Sequence, residues 1–128
     1  MKKEIAPVEY PKQTIYGQPP SKSNCYRIVT INGHGSLAKQ DALRTYERSF
    51  FLQCSLRNAA ISHRFSLEID VFFSSDRPDL DNALKAVLDC LQTIGAIKND
   101  RLCCEIKARK FIDKRYPRIV FTIKEIKI

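Results

Sequence analysis

In the stretch RPDLDNALKAVLDC, Asp79 and Asp81 stand two positions apart at the expected start of a helix. Lys85 follows Asp81 by one turn, and Asp89 follows Lys85 by another. Carboxylates this close can hold a hard divalent cation, and a lysine beside them can meet a phosphate oxygen. The spacing constrains the geometry. Inside a helix, residues i and i+2 face apart, whereas in an extended chain they share a side. Pro78 biases Arg77 away from helical backbone, so the chain enters extended and turns helical around Asp79 to Asp81. That path lets the two carboxylates converge. The same residues also admit a purely structural reading. Aspartate near a helix start caps unpaired N–H groups and complements the dipole, and Asp81, Lys85 and Asp89 would then be a surface ladder of charges.

Asp100 shifts the balance towards a metal site. It stands in an Asn99-Asp100 turn after the helix, where the chain starts back, and the sequence permits it to meet the first two carboxylates. Asp79, Asp81 and Asp100, with no histidine or cysteine among them, make an oxygen-only donor set suited to Mg²⁺ or Mn²⁺. Two rival patterns fit less well. A calcium loop of the EF-hand type starting at Asp79 would need glycine where Leu84 stands and glutamate where Cys90 stands. A restriction-endonuclease-like core would pair Pro78-Asp79 with Glu105 and Lys107 on neighbouring strands, yet a helix of roughly 14 residues begins at the aspartate. Glu105 and Lys107 read more simply as one exposed face of a strand.

The elements that must position these groups follow from periodicity. Four of the six prolines (Pro7, Pro11, Pro19 and Pro20) lie near the N-terminus, and TIYGQPPSKSNCYRIVTING predicts a short extended piece, a Pro-Pro turn and a strand from about Tyr26 to Ile31. GHGSLAKQ, residues 33–40, predicts a mobile loop. Leu43, Tyr46, Phe50 and Cys54 recur at helical steps beginning near Lys39. In RFSLEIDVFFSS, Phe65, Leu67, Ile69, Val71 and Phe73 alternate with Glu68 and Asp70, predicting a strand with one buried face. Phe72 breaks that alternation, consistent with either a second buried face or a subunit contact. The helix bearing the aspartates runs from about Leu80 to Thr93, buries Leu80, Leu84, Val87, Leu88 and Leu91, and ends at Gly95. Two further strands close the chain. The result is a single α+β domain over residues 1–128, with a mixed or antiparallel sheet and two main helices packed on it.

Composition narrows the function. Lys and Arg number 22 against 14 Asp and Glu, a net charge of +8. Both ends are basic, while acids outnumber bases between residues 41 and 100, the pattern of a polyanion-binding protein with a local anionic pocket. Lys22, Arg27, Arg77 and Lys110 are candidate phosphate contacts; solvated surface charge accounts for them equally well. His34 and Lys39, within the expected loop, are weaker candidates. The five cysteines are odd in number and form no Cys-x-x-Cys pair, which argues against a disulfide framework and against zinc. No apolar run approaches a membrane span or a secretory signal, so a cytoplasmic protein with reduced thiols is expected.

Taken together, Asp79-x-Asp81-Asn82, Lys85, the Asn99-Asp100 turn and Lys110 resemble the RusA family of Holliday junction resolvases, and PPSKSNCYR is similar to that family's early Pro-Pro-Ser-Asn segment. The resemblance covers most of the chain. It implies a Mg²⁺-dependent endonuclease (Mn²⁺ as substitute) that resolves four-way DNA junctions by paired symmetric nicks as a homodimer. Asp79, Asp81 and Asp100 would form the metal cage, and Lys85 would contact the phosphate. One departure is visible: the family commonly has Asp-Asp where this chain has Asn99-Asp100. Two alternatives share the same residues. One is a non-catalytic nucleic-acid-binding module; the other is a metal-dependent nuclease acting on other branched or single-stranded DNA.

Overall fold

The computed structural model describes residues 7–21, 26–31, 34–39 and 41–127. Among them the order is β1 (Gln13–Tyr16), β2 (Tyr26–Ile31), β3 (His34–Lys39), α1 (Asp41–Gln53), β4 (Phe65–Phe73), α2 (Leu80–Thr93), β5 (Cys103–Ile112) and β6 (Arg118–Glu125). A four-stranded sheet runs β1-β6-β4-β5, and β2 and β3 form a separate hairpin. The large sheet is mixed: β4 is antiparallel to β6 and parallel to β5. A parallel pair needs a crossover, and α2 supplies it. The α+β architecture expected from the sequence is thus the observed one.

The period-two pattern of β4 decides which way the sheet faces. Phe65, Leu67, Ile69, Val71 and Phe73 are all buried, joined by Ile15 of β1 and Ile119, Phe121 and Ile123 of β6. The two helices cover this face, with Tyr46 and Phe50 from α1 and Ala83, Val87, Cys90 and Leu91 from α2 in the same core. Leu80, Leu84 and Leu88 pack partly buried around it. The apolar stripe of α2 is therefore turned slightly from the leucine face read in the sequence, with small residues Ala83 and Ala86 among those buried. Phe72 points to the opposite side of the sheet. There its ring stacks on Phe111 at 5.0 Å, and the Arg118 guanidinium lies 3.8 Å from its centroid. The exception in the pattern is thus an aromatic–cation column on the outer face of the sheet.

One expectation fails. Residues 34–39 form strand β3 rather than the loop that their composition predicts, pairing with β2 from Ile31↔His34 to Tyr26↔Lys39. A continuous six-pair ladder outweighs the weak strand propensity of a glycine such as Gly35. The available signal was the dipeptide Asn32-Gly33 between the two strands, a pair favoured between hairpin strands.

Candidate active site at the start of α2

The chain leaves β4 at Phe73 and reaches α2 through residues 74–79. Asp79 has φ −87° and ψ 138°, so it is extended, and helical backbone begins at Leu80. Extended backbone at Asp79 is what the two-residue spacing requires for the aspartates to share a side. The Asp79 carboxylate makes no capping hydrogen bond to the helix. A cap would have consumed its oxygens, so the structural reading loses its main support. Both Asp79 and Asp81 are solvent-exposed. Asp79 lines a cleft of about 160 Å³ together with Arg77, Asn82, Phe73 and the Pro19-Pro20-Ser21 segment. The N-terminal Pro-Pro-Ser stretch is therefore a wall of the site, and Arg77 is the basic candidate that shares it.

The far end of α2 is built as carefully. Gly95 adopts φ +73°, where a side chain would be strained, and the chain closes in a Schellman turn. Its two hydrogen bonds are Ala96 N–H to the Leu91 carbonyl at 2.9 Å and Gly95 N–H to the Gln92 carbonyl at 3.1 Å. The chain then returns along α2, and Asn99 begins a single 3₁₀ turn over Asp100–Leu102, its side-chain oxygen accepting from Arg101 N–H at 3.0 Å. The Gln92 side chain accepts from Asp100 N–H at 3.0 Å, fastening the turn to the helix. Asp100 is thereby brought to Lys85, whose Nζ lies 3.9 Å from its carboxylate and 3.4 Å from that of Asp89.

The structure thus gathers Lys85 with Asp100, and Asp79 with Arg77. It does not draw Asp79, Asp81 and Asp100 around one point: among the described residues no three His, Cys, Asp or Glu side chains converge as a metal cluster. Asp100 meets α2 at Lys85, one turn after Asp81, and at Gln92 near its end. The donor chemistry still fits a hard cation. Every candidate donor is a carboxylate, and Cys103, at the start of the strand that follows Asp100, has its pKa pushed up chiefly by burial, against a lowering hydrogen bond with the Glu105 backbone. A protonated thiol is a poor metal ligand.

Of the remaining candidates, Lys110 faces the 74–79 connection and bonds to Asp76. Lys22 lies outside the described residues, as do the side chains of Arg27, His34 and Lys39. Glu105 pairs with Ser66 near the start of β4, at the opposite end of the strand from Asp79, which removes the restriction-endonuclease-like arrangement. Glu68 and Asp70 are both held by Arg109 on the outer sheet face, at 3.0 and 2.7 Å. Gln18 and Gln92 were missed from sequence, and Asn99 stood there only as a member of the turn and a departure from the family pattern.

The sequence profile of the family described as Endodeoxyribonuclease RusA matches residues 19–124. The chain belongs to the RusA endodeoxyribonuclease family. A curated relative, the crossover junction endodeoxyribonuclease RusA of Aquifex aeolicus (strain VF5), is 31% identical over 109 residues, covering 83% of this chain and 84% of the relative. The departure from the RusA pattern at Asn99 has a structural account. Its side-chain oxygen accepts a backbone N–H, a bond that aspartate makes equally well. No helix among the described residues is long and apolar enough to cross a membrane.

Proposed function

We propose that this RusA-family endonuclease resolves four-way DNA junctions by paired, symmetric nicks, acting as a homodimer that depends on Mg²⁺, with Mn²⁺ able to replace it, in the cytoplasm. The observation that carries the reading is the start of α2, where Asp79 is extended, uncapped and exposed, with Asp81 two residues on and Arg77 in the same cleft. Asp79, Asp81 and Asp100 are the proposed metal carboxylates. A divalent cation bound by them supplies Lewis acidity to the scissile phosphate and a more acidic attacking water. Lys85 places a positive charge where negative charge develops on the phosphate, and Asp89 and Asp100 orient its ammonium group. Arg77 offers a further cation to the backbone at the cleft.

The symmetry of the substrate favours a dimer. A four-way junction has approximate two-fold symmetry, and an isologous dimer presents equivalent groups to two opposed strands. A net charge of +8 favours binding to the polyanion, and the local acids leave the site anionic until metal arrives.

The test is cleavage of a labelled synthetic four-way junction with and without Mg²⁺, beside Asp81→Asn and a linear duplex of equal length. Symmetric nicks on the junction alone are expected, metal-dependent and abolished in the variant. Asp81→Asn should still bind the junction at least as tightly, because an anion facing phosphate has been removed. Binding without nicks under both Mg²⁺ and Mn²⁺ would reduce the protein to a binding module. Faster cleavage of flaps or overhangs at the same salt concentration would change the substrate.

A further inference from the structure

Residues 74–79 carry the chain from β4 to the aspartates, and their path decides where Asp79 and Asp81 point. Two side chains hold this connection from opposite sides. The Gln18 side-chain oxygen accepts from Ser74 N–H at 2.7 Å and from the Ser74 hydroxyl at 2.8 Å. On the other side, Lys110 Nζ donates to the Asp76 backbone carbonyl at 2.9 Å and pairs with the Asp76 carboxylate at 3.3 Å.

Lys110 is unlike a solvent-facing phosphate contact. It lies opposite Val71 in the β4–β5 register, on the side of the sheet that carries the core, and its side chain is 28% exposed. Its ammonium group stands 5.7 Å from the centre of the Phe73 ring, the last residue of β4. Its bond to a main-chain carbonyl fixes backbone, and the backbone it fixes lies three residues before Asp79. Asp76 itself is 86% exposed, so its carboxylate alone would leave the connection loosely tethered.

We propose that Lys110, with Gln18, is a positioning residue that sets the approach of the chain to the metal-binding aspartates, rather than a contact to DNA phosphate. The inference rests on the metal-dependent nuclease reading above. Groups that orient metal ligands from behind typically change metal affinity 10- to 100-fold when removed. A phosphate contact behaves differently: its loss weakens binding for all sequences and lowers the salt slope by about one.

The experiment compares the full-length wild type with Lys110→Met in three measurements. These are Mn²⁺ binding in the absence of DNA by electron paramagnetic resonance, the Mg²⁺ concentration for half-maximal junction cleavage, and the salt dependence of metal-free junction binding. The expected result is Mn²⁺ affinity lowered about 10-fold, the Mg²⁺ requirement raised to match, and an unchanged salt slope. A salt slope lowered by about one, or wild-type Mn²⁺ affinity in Lys110→Met, overturns the assignment. If Lys110→Met fails to fold, Gln18→Leu takes its place, because it releases the same connection at Ser74. It should weaken Mn²⁺ binding in the same direction, and wild-type affinity there overturns the proposal. Absence of cleavage by the wild type would sink the nuclease reading instead, so the two failures are separable.

Discussion

Lys85 shows how one side chain can matter to chemistry and little to stability. Its side chain is 65% exposed and touches Asp89 and Asp100 at salt-bridge distances. Exposed pairs of this kind contribute about 1 kcal/mol or less. The same charge facing a phosphate in a crowded, partly dry complex is far more effective, because little water remains to screen it. Lys85→Met should therefore slow single-turnover junction cleavage by roughly 100- to 1,000-fold. Its thermal midpoint should stay within about 3 °C of wild type. A large fall in the midpoint with a matching loss of activity would make Lys85 a structural residue. Asn99 is the contrasting case: its side chain works on the backbone of the turn, through the Arg101 N–H.

The elements around the site are held at their ends. α2 starts at an extended aspartate after a proline and stops at a left-handed glycine, so its two termini aim Asp79 and the returning chain. The connection between β5 and β6 is organised by Asp113, which accepts from Arg115 N–H and Tyr116 N–H, both at 3.1 Å, and from the Arg118 guanidinium at 2.9 Å. These bonds, the Tyr116 N–H foremost and the Arg118 guanidinium next, hold the Asp113 carboxyl below its ordinary value of 3.8. A depressed carboxyl adds stability above its unfolded-state value, and that stability is lost as pH falls through the folded-state value. Asp113→Asn should therefore melt lower than wild type at pH 6. The gap should shrink as pH is lowered below 3.8, in thermal melts across that range. A gap independent of pH would mean that the carboxylate charge is not what holds the turn.

The molecule as a whole combines a basic surface with acidic groups divided along one helix. Because Asp81 stands in the first turn of α2 and Asp100 in the 3₁₀ turn that follows it, a site shared between two copies can be told from one contained in a single chain. Asp81→Asn and Asp100→Asn chains, carrying different tags, can be co-expressed and the mixed dimer purified through both. If two copies share each site, one site of the mixed dimer carries both changes and the other carries none. Nicking of one junction strand should then return, although each variant alone is inactive. If each chain holds its own cage, every site is damaged and no nicking returns.

Much of this arrangement could be read from residues close together in the chain. The alternation from Phe65 to Phe73, the bounds of α2 and the extended Asp79 depend on side-chain period and on the backbone preferences imposed by Pro78 and Gly95. Those forces act between near neighbours, so they are written in the order of residues. The resemblance carried by the Asp-x-Asp-Asn motif and Lys85 was legible for the same reason. Strand β3 was misread because ladder pairing with β2 overrode the composition of its residues. Other contacts join residues distant in sequence: Gln18 with Ser74 across 56 positions, and Lys110 with Asp76 across 34. Lys85 and Asp100 meet only after the Schellman turn has sent the chain back along α2. Such meetings depend on which strand lies beside which and on how the core sets their spacing.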